Sequence, residues 1–427
     1  MILIHKAYKK ILIKIDGKKT IEELLKYCSD QTERNNLLTT LNKLNNYHII
    51  SFEKPIDGKL IQKPGLKKIM DVWIDVTNQC NFRCRYCFTN KNQKHLTIKE
   101  GKKIIYQLLT EAKKNNCKLL LIKFSGGEPL LELETIIALK KYATNLLHIF
   151  NIPIQVVLIT NGSLLTDKTV SLLKDNGIVV NVSIDGVGEI QNKTRIFRNG
   201  SGTYSYVERG IEIAKKYGIL SHFVITVNKY NVKNLLPLVK KAINSNILLN
   251  IDFCKVYYSS HTQLNLKANN NDIISSLKKV YNYIYKIAQE KRFSPLKRHG
   301  LLDIFSLDMP KKKACAAGTE EYFAVSCDGS VRACPVLQVK SCSIYEKDFI
   351  NKLKKTTFVN PTGKIIKSEC NKCLWKYRCG GGCPSEKYTS RIPLSHRSSY
   401  YEVYQSLIKH LLRLEAKRMI FNSVFNS

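Results

Sequence analysis

Acidic side chains are scarce in this chain of 427 residues: 34 Asp and Glu stand against 69 Lys and Arg, a formal charge of +35. Such an imbalance draws polyanions, whether nucleic acid or an acidic peptide or protein. The lysines run along the whole chain rather than in one stripe, so a solvated basic surface accounts for them equally well. No uninterrupted apolar run of about 18 residues occurs, which argues against a helical membrane span. The first residues carry no long apolar stretch and no small-residue cleavage site, so a secretory signal is not expected and the cytoplasm is the expected compartment. Cysteine, at 14 residues, is too sparse for a disulfide scaffold but plentiful for a cytosolic enzyme. In a reducing compartment such cysteines are more often metal ligands or catalytic groups. Three fall within 80–87 and four within 370–383, whereas Cys28, Cys117 and Cys254 stand apart and read as small hydrophobes.

The chain reads as α/β with five segments. Residues 1–54 form a small winged-helix-like module: a strand at 11–15, an Asp16-Gly17 turn, Thr20 as N-cap with Glu23 three residues on, a helix over about 31–46 and a strand at 48–52. Pro55, Gly58, Pro64 and Gly65 mark a linker over 55–70. Over 71–300, apolar runs at 72–76, 119–124, 154–160, 178–184, 222–227 and 248–257 alternate with helical patterns at 98–113, 132–146, 165–175, 204–217 and 233–244; a further amphipathic helix covers 271–293. Six βα units predict a parallel sheet with right-handed crossovers, either a partial (β/α)6 barrel or a doubly wound sheet. In both, ligands gather at the carboxyl ends of the strands. Residues 301–399 hold short strands, cysteines and Gly-rich turns, and 400–427 a closing helix and tail.

Directly after the first strand lies Cys80-Asn81-Phe82-Arg83-Cys84-Arg85-Tyr86-Cys87. Three thiolates on one loop can hold three irons of a cubane and leave the fourth open to a bidentate small molecule. A structural zinc site needs a fourth ligand nearby, and none of residues 88–94 provides one. The stretch TNQCNFRCRYCF, with Tyr86 before the last cysteine, resembles the signature of the radical S-adenosylmethionine superfamily. Ser125-Gly126-Gly127-Glu128-Pro129 is similar to that family's GGEP motif, in which the glycine backbone lies close to the methionine moiety and the acid receives its ammonium. By the same resemblance Asn161 ends the third strand at the cofactor, Ser183 and Asp185 contact its ribose or carboxylate region, Arg195 pairs with the methionine carboxylate, and Val227 or Asn228 touches adenine. The resemblance implies a reduced 4Fe–4S cluster that cleaves S-adenosylmethionine to methionine and a hydrogen-abstracting 5′-deoxyadenosyl radical, with flavodoxin or ferredoxin as electron donor.

Cys315 and Cys334 flank a short hairpin with Asp328-Gly329 as its turn, and Cys370, Cys373, Cys379 and Cys383 follow. Alone this run is compatible with a zinc ribbon. With DGSVRACP and the GGGCP end, it resembles the SPASM extension, which houses up to two auxiliary 4Fe–4S clusters. Carried over, Cys315, Cys334 and Cys383 ligate the first and Cys370, Cys373 and Cys379 the second. Tyr401 stands where the family's seventh cysteine falls, and no cysteine follows Cys383. The second cluster is thus expected to have a non-cysteine ligand or an open iron, or to be labile, and Cys327 and Cys342 are further candidates for completing either cluster.

The 1–54 module is similar to the RiPP recognition element, which binds a precursor-peptide leader by β-augmentation. Together the segments resemble maturases of ribosomally made peptides. The expected partner is a precursor peptide with an acidic leader, and the expected reaction is a thioether crosslink at cysteine. Carbon–carbon crosslinking, formylglycine-type oxidation and epimerisation, with Cys254 as hydrogen donor, are the alternatives; a basic iron–sulfur protein that binds nucleic acid is a more distant one, and neither membrane nor nucleic acid is an expected partner.

Overall fold

The computed structural model describes residue 15 and residues 19–46, 68–255, 266–290, 315–355, 369–373, 375 and 379–425. It divides into two units, Met1–Pro64 with Arg413–Ser427, and Gly65–Leu412. In the first, Thr20 caps α1 (Ile21–Leu25) through the reciprocal bonds expected with Glu23. α2 occupies Gln31–Asn46, and Leu24, Cys28, Leu37 and Leu41 close a small core between the two helices. The strands expected at 11–15 and 48–52 lie, Ile15 apart, outside the described residues, as does most of the linker.

The second unit is built on six parallel strands: β1 (Ile69–Thr77), β2 (Leu119–Gly126), β3 (Ile154–Thr160), β4 (Ile178–Ser183), β5 (Leu220–Val227) and β6 (Leu248–Phe253). Each pairs with the next in sequence. A doubly wound sheet reverses its order within its run of βα units, and β1 to β6 do not. Sequential order with crossovers of one hand places the helices on one face, the arrangement of an opened barrel. Those helices are α3 (Ile98–Lys114), α4 (Leu133–Asn145), α5 (Asp167–Asp175), α6 (Tyr204–Lys216) and α7 (Leu235–Asn244).

One device repeats at each return to the sheet. Asn116, Asn151, Gly177, Gly218 and Asn246 precede β2, β3, β4, β5 and β6, and each has a positive φ between 52° and 74°. Only Asn and Gly enter that region at low cost, so these residues stop the preceding helix and turn the chain into the next strand.

Two features go beyond the strand pattern. β6 stops at Phe253 rather than running to 257. The cysteine-rich segment also extends the same sheet: β7 (Tyr322–Val325) pairs in parallel with β1, and β8 (Ser330–Arg332) and β9 (Lys340–Ser343) follow antiparallel. The expected hairpin turn is there, with Gly329 at φ +77°. Downstream come α8 (Asn270–Glu290) and α9 (Tyr401–Phe425). Among the described residues no helix is long and apolar enough to cross a membrane.

Candidate active site

β1 delivers the cysteine loop to the carboxyl edge of the sheet, and the glycines after β2 fix its course. Gly127 N donates to the Thr77 carbonyl and Glu128 N to the Gln79 carbonyl, each at 2.7 Å. A Cβ on Gly126 would lie 2.2 Å from the Thr77 oxygen, and one on Gly127 only 1.9 Å from the Gln79 oxygen. The glycine pair therefore has a local reason besides any ligand: it lets the β2 loop lie against the backbone that leads into Cys80.

Cys80 is buried, and Cys84 and Cys87 are partly so. Phe82 N donates to Cys80 Sγ at 3.3 Å, and Cys87 N to the Cys84 carbonyl at 3.1 Å. The three thiols are near enough for their charges to act on one another. Burial lifts the Cys84 thiol to about 12. Three adjacent thiolates without a cation are thus disfavoured, and a metal that binds them displaces their protons. A loop-borne set of three soft donors next to a ring of strand ends fits a 4Fe–4S cluster with one open iron. Among the described residues no three His, Cys, Asp or Glu side chains form a group that could hold a single metal ion; cubane thiolates sit on separate irons.

Around this loop the strand ends carry two buried carboxylates. Glu128 is fully enclosed. Its Oε1 accepts from Leu130 N at 3.0 Å and Thr160 Oγ1 at 2.7 Å, and its Oε2 accepts from Asn161 N at 2.7 Å. It therefore ties the end of β2 to the end of β3. Burial outweighs these donors and lifts its carboxyl to about 7. Asn161 Nδ2 in turn donates to Asn81 Oδ1 at 2.8 Å and lies 4.0 Å from Cys80 Sγ.

Asp185, also fully enclosed, is the second tie. It accepts from the Tyr86 hydroxyl of the cysteine loop, from Thr194 Oγ1 at 3.3 Å and from Thr226 N at 3.0 Å. Its ion pair with Arg195 spans 3.1 Å, and the Arg195 guanidinium lies 5.4 Å from the Tyr86 ring centroid. Burial holds the Tyr86 phenol protonated. Ser183 and Val227 end β4 and β5 beside this group. Ser125 Oγ donates to Asp75 Oδ1 at 2.9 Å, and Asp75 pairs with Arg332 of β8.

The cysteine-rich segment gathers two further sets. Cys383 stands close enough to Cys334 and to the buried Lys255 to be acted on by both, and burial lifts it to about 12. Tyr322 feels both Cys334 and Cys315. Arg332 Nη1 donates to the Pro335 carbonyl at 3.0 Å, which anchors the Cys334 turn to β1 through Asp75. Cys370, Cys373 and Cys379 line one cavity with Tyr401. Cys342 Sγ donates to the Phe349 carbonyl at 3.5 Å, and the charges acting most on Cys327 are those of Asp328 and Asp75.

Several supporting residues carried no sequence signal. Asn231 Nδ2 donates to the Asp185 and Thr226 carbonyls, each at 2.9 Å, and Lys91 donates to the Phe82 carbonyl. Gln405 donates to Cys373 Sγ at 3.2 Å. Lys255 had one usable cue, its place just beyond β6.

Residues 74–242 match the radical SAM superfamily. An uncharacterized protein of Methanocaldococcus jannaschii is 30% identical over 281 residues, 65% of this chain and 88% of that one. The cysteine-type anaerobic sulfatase-maturating enzyme of Clostridium perfringens is 26% identical over 361 residues, 78% of this chain and 95% of the relative. The structure of native anSMEcpe with bound AdoMet and Cp18Cys peptide superposes with a TM-score of 0.67 at 22% identity, covering 83% of this chain and 99% of the other. Streptococcus suis SuiB bound to precursor peptide SuiA gives 0.54 at 17% identity, covering 92% and 88%. By its matched residues, its cysteine loop and its parallel sheet, this chain belongs to the radical SAM superfamily, whose enzymes use a 4Fe–4S cluster and S-adenosylmethionine.

Proposed function

We propose that this enzyme matures a ribosomally made precursor peptide by joining a cysteine sulfur to a carbon in a thioether. When bound, the cluster and S-adenosylmethionine supply a radical able to take hydrogen from an unactivated carbon. The chain's own residues bind and orient. Cys80, Cys84 and Cys87 would hold the cluster; Ser125, Gly126, Gly127, Glu128, Asn161, Ser183, Asp185, Arg195 and Val227 would bound the space for S-adenosylmethionine. Tyr86 and Arg195 keep the cysteine loop in register with the ends of β4 and β5 through Asp185.

The observation that carries the reading is that Cys334 and Cys383 stand near Lys255, just beyond β6, and that Tyr322 lies within reach of both Cys334 and Cys315. Three thiols leave one iron of an auxiliary cluster open to a substrate thiolate. In the crosslinking step one hydrogen atom leaves the acceptor carbon and the substrate thiol gives up its proton. Forming the carbon–sulfur bond releases one electron, and an auxiliary cluster held by Cys315, Cys334 and Cys383 would supply an acceptor for it. Cys370, Cys373 and Cys379 would hold a second such cluster. A reduced flavodoxin or ferredoxin in the cytoplasm would supply the electron for cofactor cleavage.

The charge of +35 suits an acidic leader. The two-helix unit over 21–46 is the expected leader module, and the strands to which a leader would add lie outside the described residues. SuiB, bound to its precursor peptide, shares this fold and supports a peptide substrate. A second reading, oxidation of a cysteine to formylglycine, is favoured by the 95% coverage of the sulfatase-maturating enzyme.

Anaerobic turnover with a cysteine-containing candidate precursor peptide separates the two by tandem mass spectrometry. A thioether loses two hydrogens, keeps its sulfur and resists thiol alkylation. A formylglycine loses sulfur and gains a hydrazine-reactive carbonyl, which would reject the thioether assignment. An unchanged mass with an inverted centre would point to epimerisation instead.

A further inference from the structure

Cys370, Cys373 and Cys379 line one small cavity together with Trp375, Tyr401 and Gln405. A cubane has four irons, and the three thiols brought together here would ligate three of them. The Tyr401 phenol is a fourth donor of another kind. Gln405 Nε2 donates to Tyr401 Oη at 2.6 Å, and the same nitrogen lies 3.2 Å from Cys373 Sγ. One amide thus bridges the thiol and the phenol, which places an oxygen donor on the side of the cavity where Cys373 stands.

That placement is built rather than incidental. Glu386, buried just after Cys383, accepts from Ser398 Oγ at 2.7 Å and from Ser399 Oγ at 2.5 Å. The segment leading into Tyr401 is therefore fixed to the glycine-rich cysteine turn. Tyr400 Oη donates to the Cys254 carbonyl at 2.7 Å, and this anchors the start of α9 beyond β6. The Arg397 guanidinium lies 4.4 Å from the centroid of the Tyr401 ring, a cation–π contact that helps to fix the ring.

We propose that Tyr401 Oη is the fourth protein ligand of an iron–sulfur cluster held by Cys370, Cys373 and Cys379, with Gln405 steadying the Cys373 sulfur. This rests on the reading that those three cysteines hold a cluster. Ligation forms an oxygen–iron bond as the phenolic proton passes to solvent, and nothing is oxidised or reduced. Oxygen ligation of iron by tyrosine has precedent in catalase.

The test uses full-length protein reconstituted anaerobically with iron and sulfide, and reads iron content, Mössbauer subsites and resonance Raman rather than turnover. Replacing Cys370, Cys373 and Cys379 together by alanine should remove about four irons per chain. Tyr401→Phe should either lose about one iron or alter one iron subsite, and should abolish tyrosinate bands present in the wild type. Tyr401→Cys should restore a four-iron, all-thiolate spectrum. If Tyr401→Phe keeps the wild-type iron count and subsites, the phenol is not a ligand, although the cluster reading stands. If the triple alanine variant keeps its iron, both fall.

Discussion

Asp185 and Arg195 form an ion pair in which Nε and Oδ2 are 3.1 Å apart and both side chains are almost wholly removed from water. Arg195 also faces the Tyr86 ring, and Tyr86 donates to the same carboxylate. The cysteine loop is thereby joined to the far side of the strand-end ring through a single buried acid. Replacing Asp185 by Asn leaves a buried guanidinium without its counter-charge, a change that typically costs about 3–5 kcal/mol. Urea unfolding should show that loss, and Tyr86→Phe a smaller one of about 1 kcal/mol. Equal, small effects from the two variants would mean that Asp185 is not the hub.

Loss of Cys80, Cys84 and Cys87 should be the most severe chemical lesion. The triple alanine variant is expected to lose about four irons and all formation of 5′-deoxyadenosine. Iron assay and chromatography after anaerobic reduction with dithionite measure both. Cofactor cleavage that survives the replacement would place the reactive cluster elsewhere.

Glu128 gives a pH dependence of defined sign. Its folded carboxyl, lifted by burial to about 7, keeps a proton that the unfolded chain releases from its ordinary value of 4.5 upward. Stability from this group is therefore full below that ordinary value and is lost as pH rises through about 7. Between about pH 5 and about pH 8 the wild type should lose up to about 3 kcal/mol relative to Glu128→Gln, which cannot ionise. Parallel urea midpoints for the two proteins across that range would show that the three donated hydrogen bonds hold the group ionised throughout.

Gly127→Ala tests the backbone contact. A methyl 1.9 Å from the Gln79 carbonyl oxygen cannot be accommodated without moving the segment before Cys80. The expected cost is about 1–3 kcal/mol, with reduced iron loading. Gly177→Ala is the control: its positive φ incurs about 1–2 kcal/mol, but no atom lies within 4 Å of the added carbon. Its iron content should remain that of the wild type. Full iron loading in Gly127→Ala would separate the glycine contact from the cysteine loop's course.

Much of the barrel was legible because its signals are local. The apolar runs and the helical patterns that alternate with them are set by neighbours in the chain. The cysteine loop was legible for the same reason, since its spacing alone fits three corners of a cubane. Long-range facts were not. Strand runs by themselves left an opened barrel and a doubly wound sheet equally available, and only the pairing order β1 to β6 decided between them.

Nothing local announces that β7 will lie beside β1, because a parallel partner is chosen by edge complementarity some 250 residues away, where Arg332 finds Asp75. Asp185 was found by motif, but its convergence with Tyr86, Arg195 and Thr226 was not, because hydrogen-bond partners across strand ends leave no spacing in sequence. Tyr401 is the sharpest instance. The sequence by itself determined that a cysteine is absent there; the tertiary structure decided what stands in its place, because only folding brings the phenol and Gln405 to the Cys373 thiol.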